Sequence, residues 1–282
     1  MIGLFIGAIR PVWFRGKYFL VSKLASRSGE REICLFGVRV RLNLADAMQR
    51  WIYMGVFESQ ETAKVRRLLQ PGMVVVDAGA NIGYYTLLSA ERVGPTGRVF
   101  AVEPSRLGVE RLTRTVVENG MTQVQVVPIG LSDHEGEVTL HVPPASAGHH
   151  NPTMLDVADA SFASEVVPVR TLDACLDEWG VDRVDLLKID VEGFEPRVLR
   201  GAARSLAEGR IGAILAEFND VALREAGSSA TALLRELREA GFRDLDGSTS
   251  MDVSEFETRL LIHSTKGLGV LARPDSQHRD PS

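Results

Sequence analysis

The chain has little cysteine, no long apolar run and no excess of basic charge, and each shortage closes off a class of function. Its two cysteines, Cys34 and Cys175, lie far apart, with no Cys-x-x-Cys pair and no histidine at ligand spacing. That excludes a disulfide framework and a cysteine-rich zinc site, and it fits two separate thiols in a reducing cytoplasm. The formal net charge is −5, so the chain lacks the electrostatic footprint of a nucleic-acid binder. No internal repeat is visible, which excludes a solenoid. The apolar stretch at residues 1–9 is too short to span a bilayer. What is present is ordinary for a folded domain: 45% hydrophobic residues, enough for a large core, and 24% charged residues.

Residues 1–29 stand apart. They carry Arg10, Arg15, Lys17, Lys23 and Arg27 and no acid. The positive charge follows the apolar stretch, the reverse of a secretory signal. Such a segment either docks on the domain as a terminal helix or rests on an anionic membrane surface. The expected organisation is a basic and apolar extension over 1–58, a catalytic domain over 59–272 and a disordered polar tail over 273–282.

From residue 74 onward, short β-branched runs alternate with helical periodicity, the pattern of βαβ units on a largely parallel sheet. Strands are expected at 74–80, 98–104, 124–131, 184–192 and 213–219. A last strand is expected at 257–264. Between them, 137–142 and 166–172 read as a hairpin-like insertion around a loop rich in Pro, Ala, Gly and His.

VVVDAGANIG (74–83) is the motif that carries chemistry. A buried strand ends in Asp77, and a glycine turn from Gly79 to Gly83 opens a helix. Glycine lets the backbone approach a ligand, and the helix start offers unpaired N–H groups. The dinucleotide fingerprint needs a third glycine at the position of Asn81, so it fails here. An acid before the turn suits a cationic nucleoside cofactor, S-adenosylmethionine. Glu103 ends the second strand twenty residues after Gly83, where a carboxylate can accept ribose hydroxyls. It serves either class of cofactor, so a nicotinamide-dependent oxidoreductase is the competing enzyme. A non-catalytic protein at a membrane surface is the competing non-enzyme.

KIDVEG (188–193) adds Asp190 and Glu192, two apart and therefore on one side of an extended strand. Glu217 ends the next strand by the same logic. Ligands of open α/β sheets bind beyond the carboxyl ends of the strands, so these acids share a rim with Asp77 and Glu103. Clustered carboxylates are costly when dry, unless a cation or Lys188 offsets them. A cationic cofactor would offset part of that cost, and so would a divalent cation such as magnesium, which oxygen ligands suit; the reading favours the cofactor and assigns no metal ligand. His149 and His150, in the insertion, join Asp190 and Glu192 as candidates to take a proton from an acceptor hydroxyl.

In order along the chain, YMGVFE (53–58), PGMVVVDAGANIGYYT (71–86), VFAVEPS (99–105), GLSDHEGEVTL (130–140), VRTLDACL (169–176) and LLKIDVEGFEPRVLRGA (187–202) resemble the FkbM family of methyltransferases. The family is similar in fold to the class I methyltransferases. That implies an α/β Rossmann-like domain whose mainly parallel seven-stranded sheet ends in a reversed strand. The resemblance implies S-adenosylmethionine as cofactor, with Asp77, Gly79, Asn81 and Gly83 at its methionine part and Glu58 and Tyr85 closing that side. It also implies Glu103 at the ribose, Ser132 and Asp133 beside the adenine, and Asp190 and Glu192 facing the transferred methyl or the acceptor. The implied reaction is O-methylation of a small-molecule or saccharide hydroxyl.

Overall fold

A computed structural model of the chain describes residues 29–144, 147, 152–155, 157, 159–254 and 256–264. The basic segment, the polar tail, and His149 and His150 lie outside the described residues. Among the described residues, no helix is long and apolar enough to cross a membrane.

The elements in chain order are β1 (Glu30–Leu35), β2 (Val38–Asn43), α1 (Ala47–Met54), α2 (Ser59–Leu68), β3 (Val74–Ala78), α3 (Tyr84–Val93), β4 (Arg98–Val102), α4 (Arg106–Glu118), β5 (Val124–Val127) and β6 (Gly130–Leu131). There follow β7 (Gly136–Val142), β8 (Ala163–Arg170), α5 (Leu172–Glu178), β9 (Leu186–Ile189), α6 (Glu195–Arg200), α7 (Ala203–Ala207), β10 (Ala213–Asn219), α8 (Asp220–Glu225), α9 (Ala230–Glu239), β11 (Phe242–Asp244) and β12 (Phe256–His263).

The main sheet has seven strands in the order β5-β4-β3-β9-β10-β12-β11. β5, β4, β3, β9 and β10 pair in parallel, and β12 runs antiparallel to both β10 and β11. This is the class I methyltransferase topology, reversed strand included. Consecutive residues of a strand enter opposite layers: Val75 joins one apolar cluster and Val76 the other, as do Leu186 and Leu187. Burial on both faces explains why these strands read as continuous apolar runs rather than alternating ones.

The insertion is a second, three-stranded sheet in the order β6-β8-β7. The run at 124–131 is therefore not one strand. β5 belongs to the main sheet and β6 to the insertion, with Pro128 between them. Proline has no N–H for the ladder, so pairing stops and the chain changes sheets there.

The boundary at residue 58 also differs from expectation. β1 and β2 form a hairpin whose tip residues, Phe36 and Gly37, have φ of 51° and 79°. Positive φ at both tip positions matches the right-handed twist of paired strands. Asp46 caps α1 by accepting from the Gln49 N–H, and Gly55 ends it with φ 68°. Val40, Leu42 and Ile52 then bury themselves in the same cluster as Val75, Leu87 and Leu112. The described part of the expected extension is thus a wall of the catalytic domain.

Candidate active site

Strand order reverses between β3, which leads to β4 and β5 on one side, and β9, which leads to β10 on the other. At the carboxyl ends of these strands a crevice must open, because the connecting segments leave in opposite directions. A cavity of ≈ 280 Å³ lies there. Glu58, Asp77, Gly79, Asn81, Tyr85, Glu103, Asp190 and Glu192 all line it, so the fold gathers these predicted residues from four separate segments.

The glycine turn is held from below by Lys188. Its Nζ donates to the carbonyl of Gly79 at 2.8 Å and lies 3.1 Å from Asp190 Oδ2 and 3.6 Å from Asp77 Oδ1. Asp77 also accepts from Thr86 Oγ1 at 2.6 Å. Burial works against the Lys188 cation, but Asp190 and Asp77 outweigh it and raise its pKa. Asp77 is 1% exposed and already paired with a lysine. It organises the turn from beneath and also lines the cavity.

Gly79 has φ 74°, and a Cβ at this position would meet the Asp190 carbonyl oxygen at 1.9 Å. No other residue type fits that approach. Asn81, with φ 50°, donates its backbone N–H to Glu103 Oε2 at 2.8 Å. The other Glu103 oxygen accepts from the N–H of Ser105 at 2.9 Å and from its hydroxyl. Burial raises the Glu103 pKa, and these three donors work against that rise. The Glu103 carboxylate is therefore aimed by the turn beside it.

Glu58 sits at the start of α2 with φ 36°, and the Tyr85 hydroxyl donates to its carboxylate. Burial pushes the Glu58 pKa up to about 7, with the Tyr85 hydrogen bond opposing. Tyr84 anchors this wall. Its ring meets those of Phe36, Phe57 and Tyr85 edge-on at 4.8–5.4 Å, and its hydroxyl pairs with Thr62 at 2.9 Å.

On the far side, Asp190, Glu192 and Glu217 converge. Glu195 Oε1 fixes their loop by accepting from the N–H groups of Val191 at 2.9 Å and Gly193 at 3.3 Å. Burial pushes the Glu195 pKa up to about 7. Burial raises that of Glu217 as well, helped by the nearby charges of Asp190 and Glu192.

Three expected site residues stand elsewhere. Gly83 caps α3 with φ 89°, and a Cβ there would strike Leu112 at 2.4 Å, so it serves the close packing of α3 on α4. Ser132 is fully buried; its N–H donates to Arg170, and its carbonyl oxygen lies 2.0 Å from where a Gly201 Cβ would stand. Asp133 turns outward to Arg200 at 3.1 Å and His134 at 3.0 Å. Partial burial raises the Asp133 pKa, but these partners overcome that and bring it down to about 2. The cavity wall beside β6 is made instead by Ile129, Gly130 and Leu131. Sequence reasoning also missed Met48, Trp51, Phe57, Met154 and Phe256, which supply much of the apolar lining. They come from dispersed segments, and no local pattern marks them as partners.

The family model for the methyltransferase FkbM domain matches residues 77–243, more than half of the chain. The chain belongs to the FkbM methyltransferase family. It is 30% identical over 236 residues to the AMB antimetabolite synthetase AmbE of Pseudomonas aeruginosa, covering 71% of this chain and 11% of that protein. This chain thus spans about a ninth of that relative's length. The 2-O-methyltransferase NoeI of Sinorhizobium fredii is 24% identical over 200 residues, covering 64% of this chain and 79% of NoeI. A solved methyltransferase FkbM from Methylobacillus flagellatus aligns with a TM-score of 0.44 at 19% identity, over 77% of this chain and 55% of that one.

Proposed function

We propose that the chain binds S-adenosylmethionine at the switch point and methylates a hydroxyl oxygen of a saccharide or related natural product. The observation that carries this reading is the Gly79–Asn81 turn closed onto Glu103, with three carboxylates across the same cavity. The residues fit such a cofactor. A side chain at Gly79 has no room, an acid at the second strand end suits a ribose, and the acidic lining suits a cation. The missing third glycine argues against a dinucleotide. The name of NoeI, a 2-O-methyltransferase, supports a hydroxyl acceptor.

When bound, S-adenosylmethionine supplies a methyl group on a cationic sulfur. Glu103 would hold the ribose, and the glycine turn, with Glu58 and Tyr85, would hold the methionine side. Asp190 and Glu192 orient the acceptor hydroxyl and accept its proton. Alignment of this kind is worth about 7–11 kcal/mol of barrier, and proton removal a further ~10²–10⁴-fold.

Calorimetric titration with S-adenosylhomocysteine and with NADH tests the cofactor. The first is expected to bind and the second not. Folded protein that ignores S-adenosylmethionine and its demethylated product refutes the reading. Once an acceptor is found, Asp190→Asn is expected to lower turnover more than cofactor affinity.

A further inference from the structure

β9 and β10 are parallel neighbours in register at Ile189 and Ala216, so Asp190 and Glu217 leave adjacent strands side by side. Glu192 follows two residues after Asp190. One carboxylate oxygen from each of the three lies within 4.8 Å of the others. Like charges this close repel one another and require an answer from a cation.

The protein's own cation does not supply all of it. Lys188 is spent on Asp190, Asp77 and the carbonyls of Ala78 and Gly79. Glu217 shows the shortfall most plainly. It is 6% exposed, it is aimed at Asp190 and Glu192, and its Oε2 has no hydrogen-bond partner among the described residues. A buried acceptor left unmade is costly, and native proteins rarely leave one without a ligand or a water. A single donor would satisfy Glu217 alone. A doubly charged ion would satisfy all three acids at once.

We propose that Asp190, Glu192 and Glu217 bind one hard divalent cation. The chemistry selects the class of ion. All three donors are carboxylate oxygens, which suit magnesium, manganese or calcium rather than the softer metals. The spacing agrees: opposite oxygens of an octahedron stand about 4.2 Å apart around magnesium and about 4.6–5.2 Å apart around calcium. The remaining coordination positions face the cavity, where they would take water or acceptor oxygens. On the methyl-transfer reading, the ion would hold the acceptor hydroxyl and lower its pKa. That role rests on the reading; the binding site itself does not.

The test uses the full chain, stripped with EDTA and titrated with Mn²⁺ while free Mn²⁺ is followed by electron paramagnetic resonance. S-adenosylhomocysteine binding is measured in parallel by calorimetry. Uptake of one Mn²⁺, displaced by Mg²⁺ or Ca²⁺ and weakened at least about tenfold in Glu217→Gln, supports the site. Glu192→Gln, at a less buried position, must weaken uptake as well and serves if Glu217→Gln fails to fold. Folded protein that takes up no Mn²⁺ at millimolar concentration overturns the site, as does uptake indifferent to both substitutions. Cofactor binding without Mn²⁺ uptake overturns the metal and leaves the methyl-transfer reading standing. Mn²⁺ uptake without cofactor binding does the reverse.

Discussion

The two halves of the cavity are built on opposite plans. On the β3–β4 side, the acids face donors of the chain itself. One Asp77 oxygen accepts from Thr86 and the other, without a hydrogen bond among the described residues, faces the Lys188 ammonium at 3.6 Å, and Glu103 has Asn81 and Ser105. On the β9–β10 side, three carboxylates face one another and one of Glu217's oxygens has no partner among the described residues. A site whose own hydrogen bonds set its shape is ready before the ligand arrives. A site with unanswered charge stays costly until the ligand supplies what is missing. On the cation proposal, the first half is preorganised and the second is completed by what it binds.

The sharpest way to break this comparison is to remove the cation that the first half depends on. Lys188→Met leaves Asp77 and part of Asp190 as unpaired buried charges. It is expected to destabilise the fold by about 3–5 kcal/mol in urea denaturation. A loss below about 1 kcal/mol would mean that Lys188 does not pin the turn.

Gly79→Ala strikes the same half through the backbone. A methyl group must displace the Asp190 carbonyl while the residue holds a left-handed conformation. The expected cost is about 2–4 kcal/mol of stability, together with loss of calorimetric S-adenosylhomocysteine binding. Unchanged binding would put the cofactor elsewhere.

The second half is probed through its pH response. Glu195 has a pKa of about 7 in the fold against an ordinary 4.5. The folded state therefore holds this proton more tightly than the unfolded chain does. Its stabilising contribution is complete below about pH 4.5 and is lost as pH rises through 7. Relative to Glu195→Gln, the natural chain is expected to lose about 2 kcal/mol of stability between pH 5 and pH 8. Denaturation midpoints that run parallel across that range would contradict this.

The smallest expected effect marks the boundary of the first half. Asp133→Asn removes partly exposed pairs with Arg200 and His134, worth under about 1 kcal/mol. Cofactor affinity should stay within about twofold, because Asp133 does not line the cavity. A larger drop would restore the expectation that Asp133 stands beside the adenine.

Much of the parallel sheet was legible in the chain, because strands buried on both faces must be apolar throughout and their turns must carry glycine. Asp77, Gly79 and Glu103 were legible because chemistry and backbone geometry restrict them together. Gly83 marks the limit of the sequence signal. A glycine required by the packing of α3 against Leu112 looks the same in sequence as one required by a ligand. Ser132 and Asp133 follow the third strand as the family pattern suggests. The change of sheet after Pro128, however, turns Asp133 toward α6 and its arginine.

By itself, the order of residues determined the fold class and the identity of the acids at the strand ends, since periodicity and strand-end position are local properties. Tertiary structure decided which of those acids are satisfied. Only packing brings Lys188 under the turn, stands Glu217 beside Asp190, and walls the cavity with Met48, Trp51 and Phe256. The energy of a buried charge depends on its neighbours in space, and those that pin the turn and complete the rim are remote in sequence: Lys188 lies 109 residues from Gly79.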